Sequence, residues 1–226
     1  MVQFNLQQRE LTLKVVYYGP ALSGKTTNLQ AIHQMVPMGV AGRLMTLETR
    51  DDRTLFFDLL PVTFRTRSGY RVKLKLFTVP GQVIHDSTRK VVLNGADGVA
   101  FIADSQLAES QANKEAFRNL RENLAANGLD VDALPVVIQF NKRDLPDIRS
   151  EDELRALESR RATPVYRAVA ISGQGVMETL QGLVGLVWDS LERNYDIGRK
   201  LQVDREEFLT QLFRDWNPAR VRGGMP

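Results

Sequence analysis

The sequence contains no cysteine. This absence excludes disulfides, thiolate metal sites and a cysteine nucleophile, and it is typical of the reducing cytoplasm, where we expect the protein to work. The segment MVQFNLQQRE lacks the basic-then-apolar pattern of a secretory signal, and Val2 stands where myristoylation requires Gly. No apolar run approaches membrane-spanning length. We therefore expect no direct membrane anchor, and membrane attachment only through a partner.

Histidine is scarce, and neither sign of charge is in excess. The two histidines, His33 and His85, have no second histidine or carboxylate at metal-ligand spacing, and no HExxH, GxSxG or paired-carboxylate hydrolase pattern occurs. The 30 basic and 27 acidic residues are interspersed and leave a net charge of +3, so we expect no nucleic-acid binding. With 226 residues, of which 43% are hydrophobic, the chain is large enough for one core with an appendage.

What is present is an alternation of short apolar runs, such as KVVYY and GVAFIAD, with longer amphipathic segments, such as ANKEAFRNLRENLAA. This pattern predicts an α/β fold with a mostly parallel sheet and helices on both faces. In DLLPVTFRTRSGYRVKLKLFTV two alternating runs flank a turn around Gly69, which predicts one antiparallel hairpin within the sheet. Residues 36–54 have no clean period and predict a mobile loop with room for one short strand.

The alternation stops before the end of the chain, so we predict a principal domain over residues 1–194 and a C-terminal extension over residues 195–226. Within the extension, Asp204 with Glu207 predicts the start of one helix, and Pro218 followed by glycines predicts its stop and a disordered tail. One stripe at helical spacing contains Phe208, Leu209, Leu212, Phe213 and Trp216. Two interpretations of this stripe stay open: packing against the principal domain, or contact with a partner.

The stretch YYGPALSGKTTNLQ contains the pattern GxxxxGKT from Gly19 to Thr26, directly after a β-branched run and before a helical pattern. In this context successive backbone N–H groups and a helix N-terminus form a phosphate-binding P-loop. Lys25 then reaches the β- and γ-phosphates, and the Thr26 hydroxyl is placed to ligate Mg²⁺. A chance match in a glycine-containing turn is the alternative, and the flanking strand and helix patterns argue against it.

Two further motifs indicate which nucleotide is bound. FNKRD follows the apolar run LPVVIQF, so Asn141, Lys142 and Asp144 are expected beyond the carboxyl end of a strand. The Asp144 carboxylate can accept from the N1–H and exocyclic amine of guanine, donors that adenine lacks there, which favours GTP or GDP and argues against a P-loop kinase or ATPase. In FTVPGQ, Gly81 can bring its N–H close to a γ-phosphate, and Gln82 stands where a hydrolytic GTPase orients its water. An exposed loop amide is the alternative for Gln82.

With these motifs the sequence resembles the Ras superfamily and, within it, the bacterial MglA family of gliding-motility and polarity GTPases, over roughly residues 10–194. The closer match rests on KVVYYGPALSGKTTNLQ, ETRDDRTLFFDLLP, TVPGQ, DGVAFIADSQ, NLRENL and VVIQFNKRDLP. The resemblance implies a P-loop NTPase G domain and a two-state switch, in which Thr54 closes on Mg²⁺ and the γ-phosphate and Arg53 acts as an arginine finger in cis. A surface arginine paired with Asp51 or Asp52 is the alternative for Arg53.

Three sites qualify the resemblance. Thr78 stands where most Ras-like proteins carry an Asp that holds magnesium through water, but MglA-type sequences share this Thr. VAISGQG occupies the place of the loop that brackets guanine, with Ala170 and Ile171 at matching positions and without the usual lysine. Ala21 replaces the glycine that family members usually have, and its methyl group near Gln82 would obstruct in-line transfer, where misplacement by about 1 Å can cost about 10²-fold in rate.

The predicted site follows from the motifs and the resemblance together. The nucleotide contacts are Gly19, Pro20, Ala21, Leu22, Ser23, Gly24, Lys25, Thr26, Thr27, Thr54, Gly81, Asn141, Lys142, Asp144, Ala170 and Ile171. The predicted metal ligands are Thr26 and Thr54, and the predicted catalytic residues are Arg53, Gln82 and Lys25.

We therefore predict a GTP-binding molecular switch that hydrolyses GTP to GDP, slowly without an activating protein, and recruits effectors of cell polarity or gliding motility. The alternative is a GTP-loaded interaction module or scaffold with little hydrolysis, because of Ala21. The resemblance implies a roadblock-fold, MglB-like GTPase-activating protein as a partner. Five positively charged residues lie on the predicted hairpin: Arg65, Arg67, Arg71, Lys73 and Lys75. They either discourage unwanted strand pairing or face an acidic partner.

Overall fold

The computed structural model describes residues 3–5, 7–47, 57–81, 86–130, 132–160 and 163–221. The strands in these ranges are β1 (Gln3–Asn5), β2 (Glu10–Tyr18), β3 (Met45–Leu47), β4 (Phe57–Arg65), β5 (Arg71–Thr78), β6 (Gly98–Asp104), β7 (Val136–Asn141) and β8 (Val165–Arg167). They form one sheet in the order β3-β4-β5-β2-β6-β7-β8, and β1 pairs with the first residues of β2.

The middle of the sheet is parallel, as the continuous apolar runs predicted. β2 pairs in parallel with β5 and with β6, and β7 pairs in parallel with β6 and β8. β4 is antiparallel to β5, from Leu59 opposite Phe77 to Arg65 opposite Arg71, so the predicted hairpin is confirmed. Two short antiparallel pairs add to it, β1 with β2 and β3 with β4. β3 is the short strand for which the sequence left room, whereas the three residues of β1 are too few to show a period.

Helices cover both faces of the sheet. They are α1 (Lys25–Met35), α2 (Asp86–Leu93), α3 (Ser110–Ala126), α4 (Glu151–Arg160), α5 (Val176–Tyr195), α6 (Ile197–Leu201) and α7 (Arg205–Leu212), with 3-10 turns at residues 107–109, 170–172 and 218–220. Because neighbouring residues of a strand point to opposite faces, Tyr17 joins the apolar cluster under α1, α5 and the C-terminal helices, and Tyr18 joins the cluster under α2, α3 and α4. None of the helices described has the length and apolar character needed to cross a membrane.

The C-terminal segment packs into the cluster beneath α1 and α5. α7 begins as predicted at Asp204, whose Oδ1 accepts a hydrogen bond from Glu207 N at 2.8 Å. Phe208 is 1% exposed and lies between Phe64 of β4 and Trp188 of α5, with ring centroids 5.3 and 4.5 Å away. The other members of the stripe are buried or partly buried against the same cluster: Leu209, Leu212, Phe213 and Trp216. The stripe is therefore part of the core.

The same segment holds the tip of the β4–β5 hairpin. It contains two helices, α6 and α7, where the sequence predicted one, because a short helix, α6, follows α5 after the single residue Asp196. The Arg67 backbone N–H donates to Gln211 Oε1 at 3.1 Å, and the Ser68 hydroxyl donates to the Leu201 carbonyl. Strand β4 is thus fixed at its far end by the C-terminal helices. Residues 222–226, in the predicted tail, lie outside the described residues.

Candidate functional site

The P-loop leaves the carboxyl end of β2 and leads into α1. Two of its residues have to be glycine. Gly19 has a φ of 145°, and a Cβ there would lie 2.2 Å from the Ile102 carbonyl oxygen. Gly24 has a φ of 95°, and its Cβ would lie 2.2 Å from Asn141 Nδ2. The loop therefore fits tightly between β6 and β7, and this fit fixes the position of the first turn of α1.

An open cleft of about 610 Å³ lies in front of the P-loop. Residues of the P-loop, of β3 to β5 and of the loop after β5 line it: Ala21, Leu22, Gly24, Lys25, Thr26, Thr27, Thr46, Phe57, Asp58, Thr78, Val79, Pro80 and Gly81. The P-loop and the FTVPGQ motif, which are far apart in the sequence, therefore share one cavity. Its lining of backbone N–H groups, hydroxyls and one ammonium group is suited to phosphate oxygens.

Lys25 is the buried cation of this cleft. Its side chain is 7% exposed, and Nζ donates to the carbonyl oxygens of Gly19 at 3.1 Å and Pro20 at 2.5 Å. The pKa of Lys25 falls from 10.5 to about 7, chiefly because burial penalises the ammonium form and secondly because the positive charge of Arg89 is near, while the Asp58 carboxylate opposes the fall. Lys25 thus lacks sufficient counter-charge, and a phosphate group placed in the cleft would supply it.

Asp58 is a site residue that the sequence analysis missed. Its carboxylate is 6% exposed and accepts hydrogen bonds from three hydroxyls: Thr26 Oγ1 at 2.6 Å, Thr78 Oγ1 at 3.0 Å and Thr46 Oγ1 at 2.9 Å. A carboxylate next to the P-loop threonine is the kind of hard oxygen group that Mg²⁺ favours. The alternation of β4 could have indicated Asp58. Asp58 and Leu60 fall on the same buried face of the strand, where an acid without hydrogen-bond partners is costly.

Gly81 lies directly against the P-loop. A Cβ at Gly81 would be 2.3 Å from Ala21 Cα and 3.0 Å from Ala21 Cβ, so this position has no room for a side chain. The methyl group that distinguishes Ala21 from glycine therefore lies beside the residue predicted to contact a γ-phosphate. Gln82, predicted to lie near this methyl group, is outside the described residues.

Asn141 joins three of the predicted motifs. Its side chain is 2% exposed, and Nδ2 donates to the Ser23 carbonyl of the P-loop at 2.9 Å. On its other side, Oδ1 accepts from the Ala170 backbone N–H at 2.9 Å, which holds the 3-10 turn at residues 170–172 beside the P-loop. The FNKRD, VAISGQG and P-loop segments are therefore connected at one end of the sheet, although they are far apart in the sequence.

Lys142 and Asp144 of FNKRD lie beyond Asn141, after the end of β7. Lys142 adopts a φ of 63°, and its Nζ lies 2.6 Å from Asp104 Oδ2. Asp144 is exposed, and its carboxylate has no hydrogen-bond or ion-pair partner within the ranges that the structure covers. Ile171, predicted to border the base, is 50% exposed. An acceptor left open among the described residues, together with an exposed apolar side chain, is suited to a purine whose edge carries donors.

Three predicted site residues, Arg53, Thr54 and Gln82, lie outside the described residues, as does His85. Their roles therefore remain predictions from the motifs and the resemblance.

The chain matches no protein-family model. It is 47% identical over 189 residues to mutual gliding-motility protein MglA of Myxococcus xanthus, an alignment that covers 84% of this chain and 97% of that protein. It is also 28% identical over 130 residues to Ras-related protein Rab-27B of Bos taurus, covering 57% of this chain and 58% of that protein. The GTPase Obg of Syntrophomonas wolfei is 35% identical over 82 residues, which are 36% of this chain and 19% of that protein.

Proposed function

Because the chain belongs to the MglA family of small GTPases, we propose that it is a GTP-binding switch that hydrolyses GTP to GDP and recruits effectors of gliding motility or cell polarity. The similar protein of Myxococcus xanthus is named for gliding motility, and this supports the assignment of the process. We place the G domain at residues 1–194 and a C-terminal extension at residues 195–226, in a cytoplasmic protein that reaches a cell pole through its partners.

The observation that carries the proposal is the position of Asn141 between the P-loop and the turn at residues 170–172. This arrangement supports a nucleotide lying along one end of the sheet, beyond the carboxyl ends of its parallel strands. The phosphates would lie at Lys25 and the first turn of α1, and the base would lie near Asp144 and Ile171. An exposed Asp144 with no partner in the ranges described above favours guanine over adenine.

The residues around Thr26 fit a magnesium ion. Thr26 and the proposed Thr54 would hold it, and the Asp58 carboxylate supplies the negative charge that Thr78 does not. When bound, Mg²⁺ would supply positive charge that neutralises the phosphate oxygens during phosphoryl transfer. Asp58 would accept a hydrogen bond from the Thr26 hydroxyl and so hold it in place.

We assign hydrolysis to three side chains. Lys25 would neutralise the β- and γ-phosphates, and Gln82 would orient the attacking water. Arg53 would stabilise the charge on the transferring group in cis, a contribution of about 10³ to 10⁵ in rate where such arginines act. A roadblock-fold, MglB-like activating protein is the proposed partner that raises a slow intrinsic rate.

A second candidate is a GTP-loaded interaction module with little turnover. The contact between Ala21 and Gly81 favours it, because a methyl group at this point reduces the space between the P-loop and the γ-phosphate contact. Binding would then be retained while the in-line geometry of the attacking water is lost.

Single-turnover hydrolysis of preloaded GTP separates the two candidates. Phosphate release is measured with and without a roadblock-fold activator for the native protein, for Ala21→Gly, and for Ala133→Gly as a control at an exposed loop alanine outside the cleft. Activator-stimulated hydrolysis by the native protein supports the cycling switch. Tight GTP binding without hydrolysis in any variant supports the interaction module, and hydrolysis that only Ala21→Gly restores identifies the methyl group as the obstacle.

A further inference from the structure

One buried arginine lies near the site described above without lining its cleft. Arg89 of α2 is 2% exposed and is one of the largest fully buried side chains among the described residues. Its guanidinium group remains charged, because arginine is not deprotonated in proteins. A buried charge is costly unless hydrogen bonds satisfy it. The hydrogen bonds of Arg89 should therefore offset the free-energy cost of burying its charge.

The guanidinium group binds backbone carbonyls rather than a carboxylate. Nε donates to the Pro80 carbonyl at 2.9 Å, and Nη2 donates to the Gly81 carbonyl at 2.5 Å. Nη1 donates to Asn119 Oδ1 of α3 at 2.6 Å, and Asn119 Nδ2 in turn donates to Asp86 Oδ1 at 2.9 Å. Arg89 thus holds two consecutive peptide groups of the FTVPGQ segment and is itself held by α3.

Fixing these carbonyls also fixes a donor. A trans peptide group is planar, so the Gly81 N–H points opposite to the Pro80 carbonyl. Since Arg89 donates to the Pro80 carbonyl from the α2 side, the Gly81 N–H is directed away from α2. Gly81 itself borders the cleft and lies against Ala21. Within the described part of the chain, the Gly81 N–H has no acceptor. It is a free donor on the cleft side of a peptide group that Arg89 holds.

We propose that Arg89 is a positioning residue that directs the Gly81 N–H at the γ-phosphate and so allows the protein to distinguish GTP from GDP. This inference rests on the proposed function as a GTP-binding switch. GDP has no group at the position that Gly81 would contact, so Arg89 should influence the affinity for GTP and leave that for GDP nearly unchanged.

The test compares dissociation constants for GDP and for a non-hydrolysable GTP analogue, both with Mg²⁺, in native protein, Arg89→Met and Arg89→Lys. Arg89→Met removes every donor at similar length, and we expect its preference for the analogue over GDP to fall about 10-fold or more, as for loss of one hydrogen bond to a charged group. Arg89→Lys keeps the charge but cannot hold both carbonyls in a planar fork. It should show a smaller fall, and it serves as the decisive variant if Arg89→Met does not fold.

Asn123→Ala is the matched control. Asn123 is 1% exposed in the same α2–α3 cluster and bonds to Tyr18, Asp86 and Asn119 Oδ1. It makes no direct hydrogen bond to Arg89 within the described part of the chain. It should lower the melting temperature as the Arg89 variants do, without changing the ratio of the two dissociation constants. An unchanged ratio in Arg89→Lys and Arg89→Met overturns the inference, and so does an equal change in Asn123→Ala. If the native protein binds neither nucleotide, the proposed function fails, and the inference fails with it.

Discussion

Replacing Phe208 with alanine should destabilise the whole G domain, although Phe208 lies in the C-terminal extension. The ring is 1% exposed between Phe64 of β4 and Trp188 of α5. A buried Phe→Ala substitution costs about 3–5 kcal/mol, and two aromatic contacts place Phe208 in the middle of this range. With an m-value of about 2 kcal/mol/M, a loss of about 4 kcal/mol lowers the urea midpoint by about 2 M.

Urea unfolding followed by two probes tests this reasoning. Both tryptophans of the chain, Trp188 and Trp216, lie around the extension, so fluorescence reports on this region, and far-UV circular dichroism reports on all helices and strands. We expect the two transitions of Phe208→Ala to coincide and to shift together. Tyr195→Ala is the control, because Tyr195 is 48% exposed and its loss should cost less than about 1 kcal/mol.

A different result would refute the single-core interpretation. α7 has only eight residues and would not be helical by itself. If the extension merely docks on a self-sufficient G domain, Phe208→Ala would release it, the fluorescence transition would separate, and the circular dichroism midpoint would stay within about 0.3 M of the native value.

Three further predictions concern the cleft. Asp58→Asn keeps the shape of the side chain but removes its charge, so the Mg²⁺ concentration needed to retain bound GDP should rise about 10-fold. Release of a fluorescent GDP at a series of Mg²⁺ concentrations measures this requirement. An unchanged requirement would make Asp58 a structural acceptor only. Because the pKa of Lys25 is about 7 in the free protein and a bound phosphate raises it, GDP binding at pH 8 should take up close to one proton, and affinity should fall as the pH rises above 7. Calorimetry in buffers of different ionisation enthalpy measures this uptake, and Lys25→Arg, which stays charged, should abolish it. Asp144→Ala should weaken GDP binding at least about 10-fold without changing the melting temperature, because its carboxylate is exposed and contacts none of the described side chains. A large thermal shift would contradict that.

The sequence predicted those parts of the molecule that have a local signature. The parallel strands and the hairpin around Gly69 follow from apolar runs and alternation, and the P-loop follows from its glycines and flanking elements. The start of α7 at Asp204 was readable from capping chemistry. α6 was missed, because five residues between two turns show no helical period.

What could not be predicted depends on contacts between distant segments. Nothing near Asp58 in the sequence indicates that three threonine hydroxyls from different elements converge on it. Nothing in the sequence distinguishes Arg89 from exposed cations, and its burial depends on the packing of α2 against α3. The connecting role of Asn141 likewise exists only once β7 lies near the P-loop. The roles of Arg53, Thr54 and Gln82 remain predictions.

The packing of Phe208 also restricts how related sequences can vary. The Myxococcus xanthus protein aligns with 189 of the 226 residues of this chain, so part of this chain has no counterpart there. A family member that ended before α7 would leave the positions of Phe64 and Trp188 uncovered on the surface of the sheet and α5. Such a chain would need smaller or polar residues at these two positions, or another protein to cover them. The presence of an α7 segment and the aromatic character of these positions should therefore be inherited together.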